Sequence, residues 1–260
     1  MVQVNVMFFN FSSSGKAKKE SRVFTNGRYE TQKMQFTRMI NMAESVLKDS
    51  DNHVISKGYR HPIFTFLKLL GLKLQTNYLT NLLYDDDHGA IKKFPDITPW
   101  LVFFDLSIKI TPEGKKLYDF LYKKEVESQF EVDLAEDLIL PWPWNVDRCI
   151  TTISSIGNLR PWGVWNQDSN HRIYMILPFG ICFVVGGNHS IAAGILSGKG
   201  KLNTRNVYDV SSIYDYVYTD GAHYKRIFND SIIAEVGDIE FAVIFEIGRK
   251  MVERGITYGA

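Results

Sequence analysis

Cysteine is scarce in this chain, and the motifs of several common protein classes are missing. The two cysteines, Cys149 and Cys182, are too few for a disulfide framework and have no metal-ligand spacing. Both lie among apolar neighbours, which favours buried free thiols over reactive ones. No G-x-G-x-x-G follows a predicted strand, and no H-E-x-x-H is present. The segment GILSGKG, residues 194–200, is one residue short of a P-loop and follows a helical pattern instead of preceding one.

A charge excess and long apolar runs are also lacking. Thirty Lys and Arg against 29 Asp and Glu leave a net charge of +1, which disfavours a nucleic-acid partner but leaves a local basic patch open. No run approaches the roughly 20 apolar residues of a membrane span, and the first charges follow the apolar N-terminal residues, the reverse of a secretory signal. We therefore expect a cytoplasmic protein without a membrane partner.

The N-terminal half is predicted to be mostly helical, as a domain covering residues 1–137. Periodic apolar residues predict a helix over 29–47, a second one begins at Pro62 and runs through Leu72, and Thr111 with Pro112 provides an N-cap and first turn for a third helix that reaches Glu127. Weaker patterns suggest an edge strand or a tail at residues 2–11 and a basic loop at 12–22. They also suggest a short helix at 77–84, and either a strand or a buried extended segment at 97–110.

An acidic cluster lies between these predicted elements, at residues 85–88. Three aspartates and His88 resemble metal ligands in type, but adjacent carboxylates cannot all face one point, and the alternating spacing of a calcium loop is absent. We interpret the cluster as a solvated turn and predict no metal site.

The composition changes at Leu138, where four of the five tryptophans occur within 28 residues. We predict that a second domain, residues 138–260, begins there. Apolar residues at helical spacing predict a helix over 147–156, and a strand at 162–165 is expected to open a hairpin that ends at Ile176.

The second domain is organised around residues 173–200. Ile181 to Val185 is too short for a helix and is bounded by glycines, so we predict a buried strand. Two glycines then lead into a helix that begins near Asn188 and ends at Gly198 in a left-handed cap. Free amides at a helix N-terminus bind anions, and glycine lets a phosphate approach the backbone.

This loop supplies the candidate ligand-binding residues, namely Gly186, Gly187, Asn188, His189 and Ser190. Asn188 is either an N-cap or a ligand contact, and His189 is either a helix-start residue or a functional side chain, with acid or base catalysis as the catalytic alternative. Arg148 is either a surface residue or a cation that binds the same phosphate.

The order of these parts resembles the ParB/sulfiredoxin superfamily, over roughly residues 138–200. Pro143 and Arg148 look like the box that opens a ParB-type domain, and residues 186–190 align with the G-G-C-H-R signature of sulfiredoxin and the G-E-R-R signature of ParB. The resemblance implies binding of a nucleotide triphosphate. Asn188 replaces the catalytic cysteine, which excludes sulfinic-acid reduction by that route, and Ser190 replaces the arginine.

The whole chain also resembles an uncharacterised group of bacterial and prophage-associated proteins that share W-P-W-N and G-G-N-H-S segments, here residues 142–145 and 186–190. This group is a domain of unknown function, so the resemblance supplies no activity.

Residues after Gly200 are predicted to form a strand near Val207 and a packing helix over 239–254. Asp220, His223 and Lys225 fall in a loop between them, and a lid over the glycine loop is one interpretation of that loop.

Together these features predict an α+β protein, with an N-terminal helical domain followed by a small ParB/sulfiredoxin-like domain that has a C-terminal helical extension. The expected function is binding of a nucleotide or other phosphate-bearing small molecule, in a regulator related to phages or mobile elements. A phosphate-directed enzyme using His189 and a nucleotide-gated, DNA-associated protein remain the alternatives. The sequence identifies no cofactor and no protein partner.

Overall fold

The computed structural model describes residues 17–51, 60–84, 102–124 and 129–259. Its α-helices are α1 Ala17–Ser50, α2 Pro62–Thr80, α3 Val146–Ser155, α4 Asn188–Ser197 and α5 Ile239–Glu253. Its strands are β1 Tyr122–Lys124, β2 Phe130–Asp133, β3 Ile139–Leu140, β4 Arg172–Leu177, β5 Ile181–Gly186, β6 Lys201–Thr204, β7 Val207–Asp209, β8 Val217–Thr219, β9 His223–Arg226 and β10 Ile232–Glu235. The protein is therefore a mixed α+β protein.

The main sheet has five strands in the order β1-β7-β4-β5-β3. The β7–β4 and β5–β3 pairs are parallel, whereas β1–β7 and β4–β5 are antiparallel. A meander of β8, β9 and β10 and the antiparallel pair β2–β6 complete the strands.

Both faces of the central hairpin β4–β5 are buried. Side chains alternate across a strand, so Ile181 and Phe183 point into one core while Cys182 and Val184 point into the other. The larger core is filled by α1, α2 and α5, and the smaller core contains residues of α4. Burial on both faces explains why the β5 sequence is continuously apolar.

The larger core also crosses the predicted domain boundary. Leu67 and Leu70 of α2 share it with Leu138, Leu140 and residues of α5, and β1 pairs with β7. The division at residue 137 into two folding units stays a prediction. The shared core is the reason to test it by limited proteolysis.

Two local predictions fail, each for a backbone reason, and the bounds of a third differ from the structure. The helix expected from Thr111 is replaced by a turn, because Gly114 adopts φ 84° and the amide of Ile110 donates to the carbonyl of Lys115 at 2.8 Å. A 3-10 turn, Leu117–Phe120, and β1 follow. The strand expected at 162–165 is instead a turn held by a 2.7 Å bond from the amide of Gly157 to the carbonyl of Gly163. The short helix at 77–84 is instead the end of α2 and a 3-10 turn, Asn81–Leu83.

Other predictions agree with the structure or cannot be compared with it. The helices expected at 29–47, 147–156 and 239–254 are confirmed, and the first is longer than expected because it begins at Ala17, inside the predicted basic loop. The described part of the extended segment, from residue 102, forms turns and one bridge from Lys109 to Lys116. The segment at 2–11 and the acidic cluster at 85–88 lie outside the described residues.

Candidate functional site

The turn between β5 and α4 has the predicted order of strand, glycines and helix. Gly187 is the N-cap residue and is left-handed, with φ 76° and ψ 25°. Gly198 is the left-handed C-cap, and its amide bonds back to the last turn of the helix. Helix α4 therefore begins one residue after a position that favours glycine.

The glycines accommodate a neighbouring loop. A Cβ atom on residue 187 would overlap with Cδ2 of His171, and one on residue 186 would lie 2.6 Å from the carbonyl oxygen of Asn170. Asn170 and His171 of the protein itself therefore occupy the space beside these two glycines.

Asn188 connects α4 to the tryptophan-rich segment. Its Oδ1 accepts a hydrogen bond from the amide of Trp142 at 2.6 Å. The N-cap position belongs to Gly187, so Asn188 is the first helical residue and its side chain fixes the segment that enters α3.

His189 is buried and accepts two backbone hydrogen bonds. Its Nε2 lies 3.2 Å from the amide nitrogen of Trp144 and 3.0 Å from that of Asn145. A backbone N–H can only donate, so Nε2 carries no proton and the neutral ring holds its proton on Nδ1. Burial and the positive charge of Arg148 lower the pKa of His189, which keeps this neutral form.

His171 is a second buried histidine at the site. Its Nδ1 accepts a 2.8 Å hydrogen bond from the amide of Asp168, so the proton of the neutral ring lies on Nε2. Burial lowers the pKa of His171, and the carboxylate of Asp168 opposes this change only in part. The 3.3 Å contact between Nδ1 and Asp168 Oδ1 is therefore not an ion pair, because the nitrogen is already an acceptor.

Ser190 and Arg148 complete the surroundings. The hydroxyl of Ser190 accepts from Nε1 of Trp165 at 3.1 Å. Arg148 is exposed on α3, with its guanidinium carbon 5.0 Å from the ring centre of Trp144. Trp144 in turn packs edge-on against His189 at 5.5 Å between ring centres.

A cavity of about 380 Å³ brings these groups together at the N-terminus of α4. Its lining residues are Arg148, Thr151, Thr152, Trp162, Asp168, Asn170, His171, Gly187, His189 and Ser190. Four predicted site residues are therefore in the lining, whereas Gly186 and Asn188 are not. His171 is not among the predicted site residues, because it lies in a polar run that is typical of a turn and its position beside Gly187 depends on tertiary packing.

Several hydrogen-bond donors lie at the cavity, whose lining also includes the acidic residue Asp168. Among the hydrogen bonds of the described residues, none uses the amide of Asn188, His189 or Ser190 as donor, as expected for the first turn of a helix. Within the same residues, neither Nε2 of His171 nor Nδ1 of His189 makes a hydrogen bond. Arg148 adds a positive charge. Such a set of donors suits an oxyanion.

The residues predicted as a lid do not line this cavity. Asp220 instead bonds Lys33 of α1 at 3.1 Å and Lys225 of β9 at 3.2 Å. Burial alone raises the pKa of Asp220, but hydrogen bonds from the amides of His223 and Ala222 and from the two lysines lower it to about 2. These two ion pairs of Asp220 connect α1 to the meander.

The cysteines lie outside the cavity lining. Cys182 is buried and Cys149 is half-buried; both are free thiols, and burial raises the pKa of each. No group of three His, Cys, Asp or Glu side chains within the described ranges is placed to share a metal ion. None of the helices described is long and apolar enough to cross a membrane.

A family model matches residues 13–258, which is almost the whole chain. The chain belongs to this family, described as a family of unknown function, DUF6710. Comparisons with curated proteins and with solved structures gave no significant match.

Proposed function

We propose that the protein binds the phosphate group of a nucleotide or nucleotide-like molecule in the cavity at the N-terminus of α4. The observation that carries the proposal is that His189 and Ser190, with their first-turn amides, lie with His171 and Arg148 in the lining of one cavity of about 380 Å³. This volume lies within the range of roughly 300 to 1,000 Å³ that is usual for small-molecule sites. The proposal assigns the protein to the cytoplasm, where nucleotides are available.

Binding is favoured over catalysis by the state of His189. A general base needs a free nitrogen lone pair, but Nε2 of His189 already accepts from two amides at 3.0 and 3.2 Å. Protonating that nitrogen would break both hydrogen bonds. His189 therefore acts in the proposal as a neutral donor through Nδ1.

A ParB-type nucleotide switch on DNA is less favoured. Ser190 stands where that family has an arginine, and its hydroxyl is bonded to Trp165. Arg148 supplies a cation from α3 in its place, and the chain as a whole has a net charge of only +1.

Calorimetric titration with inorganic phosphate and a panel of mono-, di- and triphosphate nucleotides tests the proposal. Arg148→Met keeps the apolar stem of the side chain but removes its charge, so we expect ten- to a hundredfold weaker binding, equivalent to about 1.4 to 2.7 kcal/mol. Arg205→Met is the matched control, because Arg205 is exposed and lies outside the cavity lining. If the wild-type protein gives no binding heat with any of these ligands at millimolar concentration, the proposed site is excluded.

Two further variants separate the histidine donors from their structural role. His171→Asn keeps an acceptor near the position of Nδ1 and removes the Nε2 donor, while His189→Gln keeps an acceptor near Nε2 and removes the Nδ1 donor. Each should weaken binding while the protein stays folded. Turnover of a nucleotide by the wild type, lost in His189→Gln with binding retained, would instead establish the enzyme alternative.

A further inference from the structure

Helix α3 presents its apolar side to solvent. Ile150 and Ile153 are 58% and 43% exposed, although their spacing is typical of a face that packs into a core. The buried residue of α3 is Thr152, whose hydroxyl bonds the carbonyl of Arg148 at 2.9 Å within the same helix. A polar residue is thus inside and the apolar pair outside, which is unfavourable unless another surface covers the pair.

Other exposed apolar side chains adjoin α3. Leu196 of α4 is 62% exposed and Leu159, in the loop after α3, is 98% exposed. A groove of about 360 Å³ runs between these elements, and its apolar lining consists of Ile153, Val164, Trp165, Ala193 and Leu196. We call this surface, together with Ile150 and Leu159 at its margin, the α3–α4 groove.

Leu159 is placed there against its backbone preference. It adopts φ 60°, in the left-handed region that suits glycine or asparagine, and a branched apolar side chain is unfavourable in it. Because the side chain is almost wholly exposed, its packing within the chain offsets little of this strain. A strained, exposed leucine beside an apolar groove indicates a role in contact with another molecule.

The charges beside the groove indicate what that molecule is. Arg160 and Lys199 line the groove and no acidic residue does. The guanidinium of Arg160 bonds the carbonyls of Ile153 and Ile156 at the end of α3, so its charge is fixed at the groove. Two copies of the chain meeting through this surface would bring these cations together, which disfavours self-association.

We propose that the α3–α4 groove binds a partner protein through an acidic amphipathic helix. The aliphatic side of that helix covers Ile153, Val164 and Leu196, and its flanking carboxylates pair with Arg160 and Lys199. The groove shares no lining residue with the cavity at the N-terminus of α4, so this proposal and the proposed phosphate site can fail separately.

Fluorescence anisotropy with two designed peptides tests the proposal. One labelled 18-residue helix carries leucines at i, i+3, i+4 and i+7 with flanking glutamates, and the second has lysine in place of every glutamate. We expect the glutamate peptide to bind at least tenfold more tightly to the wild-type chain, and to weaken when the salt concentration rises from 50 to 200 mM. Equal binding of the two peptides, or no binding of either, overturns the proposal.

Variants locate the contact. Leu196→Asp and Lys199→Glu should each weaken the glutamate peptide at least tenfold. Leu159→Asn should weaken binding of the glutamate peptide severalfold and should raise the melting temperature, because asparagine tolerates the left-handed backbone at this position. The control is Leu83→Asn, at a leucine that is 77% exposed and lies outside the groove. Equal effects at residues 83 and 159 contradict the proposal. So does a dimer in light scattering that Leu196→Asp dissociates, because the occupant is then a second copy.

Discussion

His189→Ala should destabilise the fold, whatever the ligand. The change removes the acceptor of two backbone N–H groups, those of Trp144 and Asn145, and the edge-on contact with the Trp144 ring. An unsatisfied buried donor costs about 1 to 3 kcal/mol, and water can reach part of this segment because Trp144 is exposed, so we expect a loss of about 2 to 4 kcal/mol. For a chain of this size, that corresponds to a fall in melting temperature of roughly 5 to 15 °C.

The matched variant is His189→Gln, whose carboxamide oxygen can occupy the position of Nε2. It should cost less than about 1 kcal/mol, because both amides keep an acceptor. Urea unfolding of the wild type and both variants, followed by circular dichroism with a common slope, gives the comparison. If alanine and glutamine cost the same, or alanine costs under 1 kcal/mol, then His189 is not the acceptor that positions residues 144 and 145.

The same histidines set a pH dependence with a definite sign. The pKa values of His171 and His189 are lowered in the fold, whereas in the unfolded chain they lie near 6.5. The unfolded state therefore binds more protons as the pH falls below about 6.5, and stability decreases by up to roughly 1.4 kcal/mol per pH unit for each histidine until the folded pKa is reached. His189→Gln should remove one histidine's share of this slope, and an unchanged slope between pH 6.5 and 5 would contradict the neutral assignment.

Two other predictions concern the core. Tyr258 lies with its hydroxyl 2.9 Å from the buried carboxylate of Asp137, which is also bonded by Arg60, so Tyr258→Phe should cost about 1 to 2 kcal/mol in urea unfolding. Arg60→Met should cost more, about 2 to 4 kcal/mol, because it removes the cation bonded to that buried carboxylate and leaves only the more distant charge of Lys68; the reverse order would refute this account. Limited proteolysis tests the predicted boundary: because α2 and α5 share one core, fragments cut between residues 127 and 138 should stay together in gel filtration. Fragments that separate and remain folded would instead establish two units.

Local signals were sufficient to predict the elements around the site. The apolar run of β5, the two glycines and the helical spacing after Asn188 each depend on neighbouring residues, and the structure has the strand, the left-handed Gly187 and the cap at Gly198 in that order. The apolar periods of α3 and α5 also depend only on neighbouring residues.

The missed features depend on packing between distant segments. The spacing of Ile150 and Ile153 predicts an apolar face but not that it points to solvent. The glycine at 187 suggested an approaching phosphate, whereas the atom nearest to a Cβ there belongs to His171, sixteen residues earlier. Gly187→Val would therefore displace a site residue and the backbone together, which is why the charge and donor variants are the cleaner tests.

The position of α5 has a consequence for synthesis of the protein. Helix α5 supplies Phe241, Phe245 and Met251 to the larger core and contacts both α1 and α2, yet about 160 residues separate it from the end of α2. Translation proceeds at roughly 5 to 20 residues per second. The apolar sides of α1 and α2 are therefore synthesised about 10 to 30 seconds before α5. During that interval the nascent chain exposes apolar surface of the kind that chaperones bind, and we therefore expect its yield in a cell to depend on protection of the first two helices.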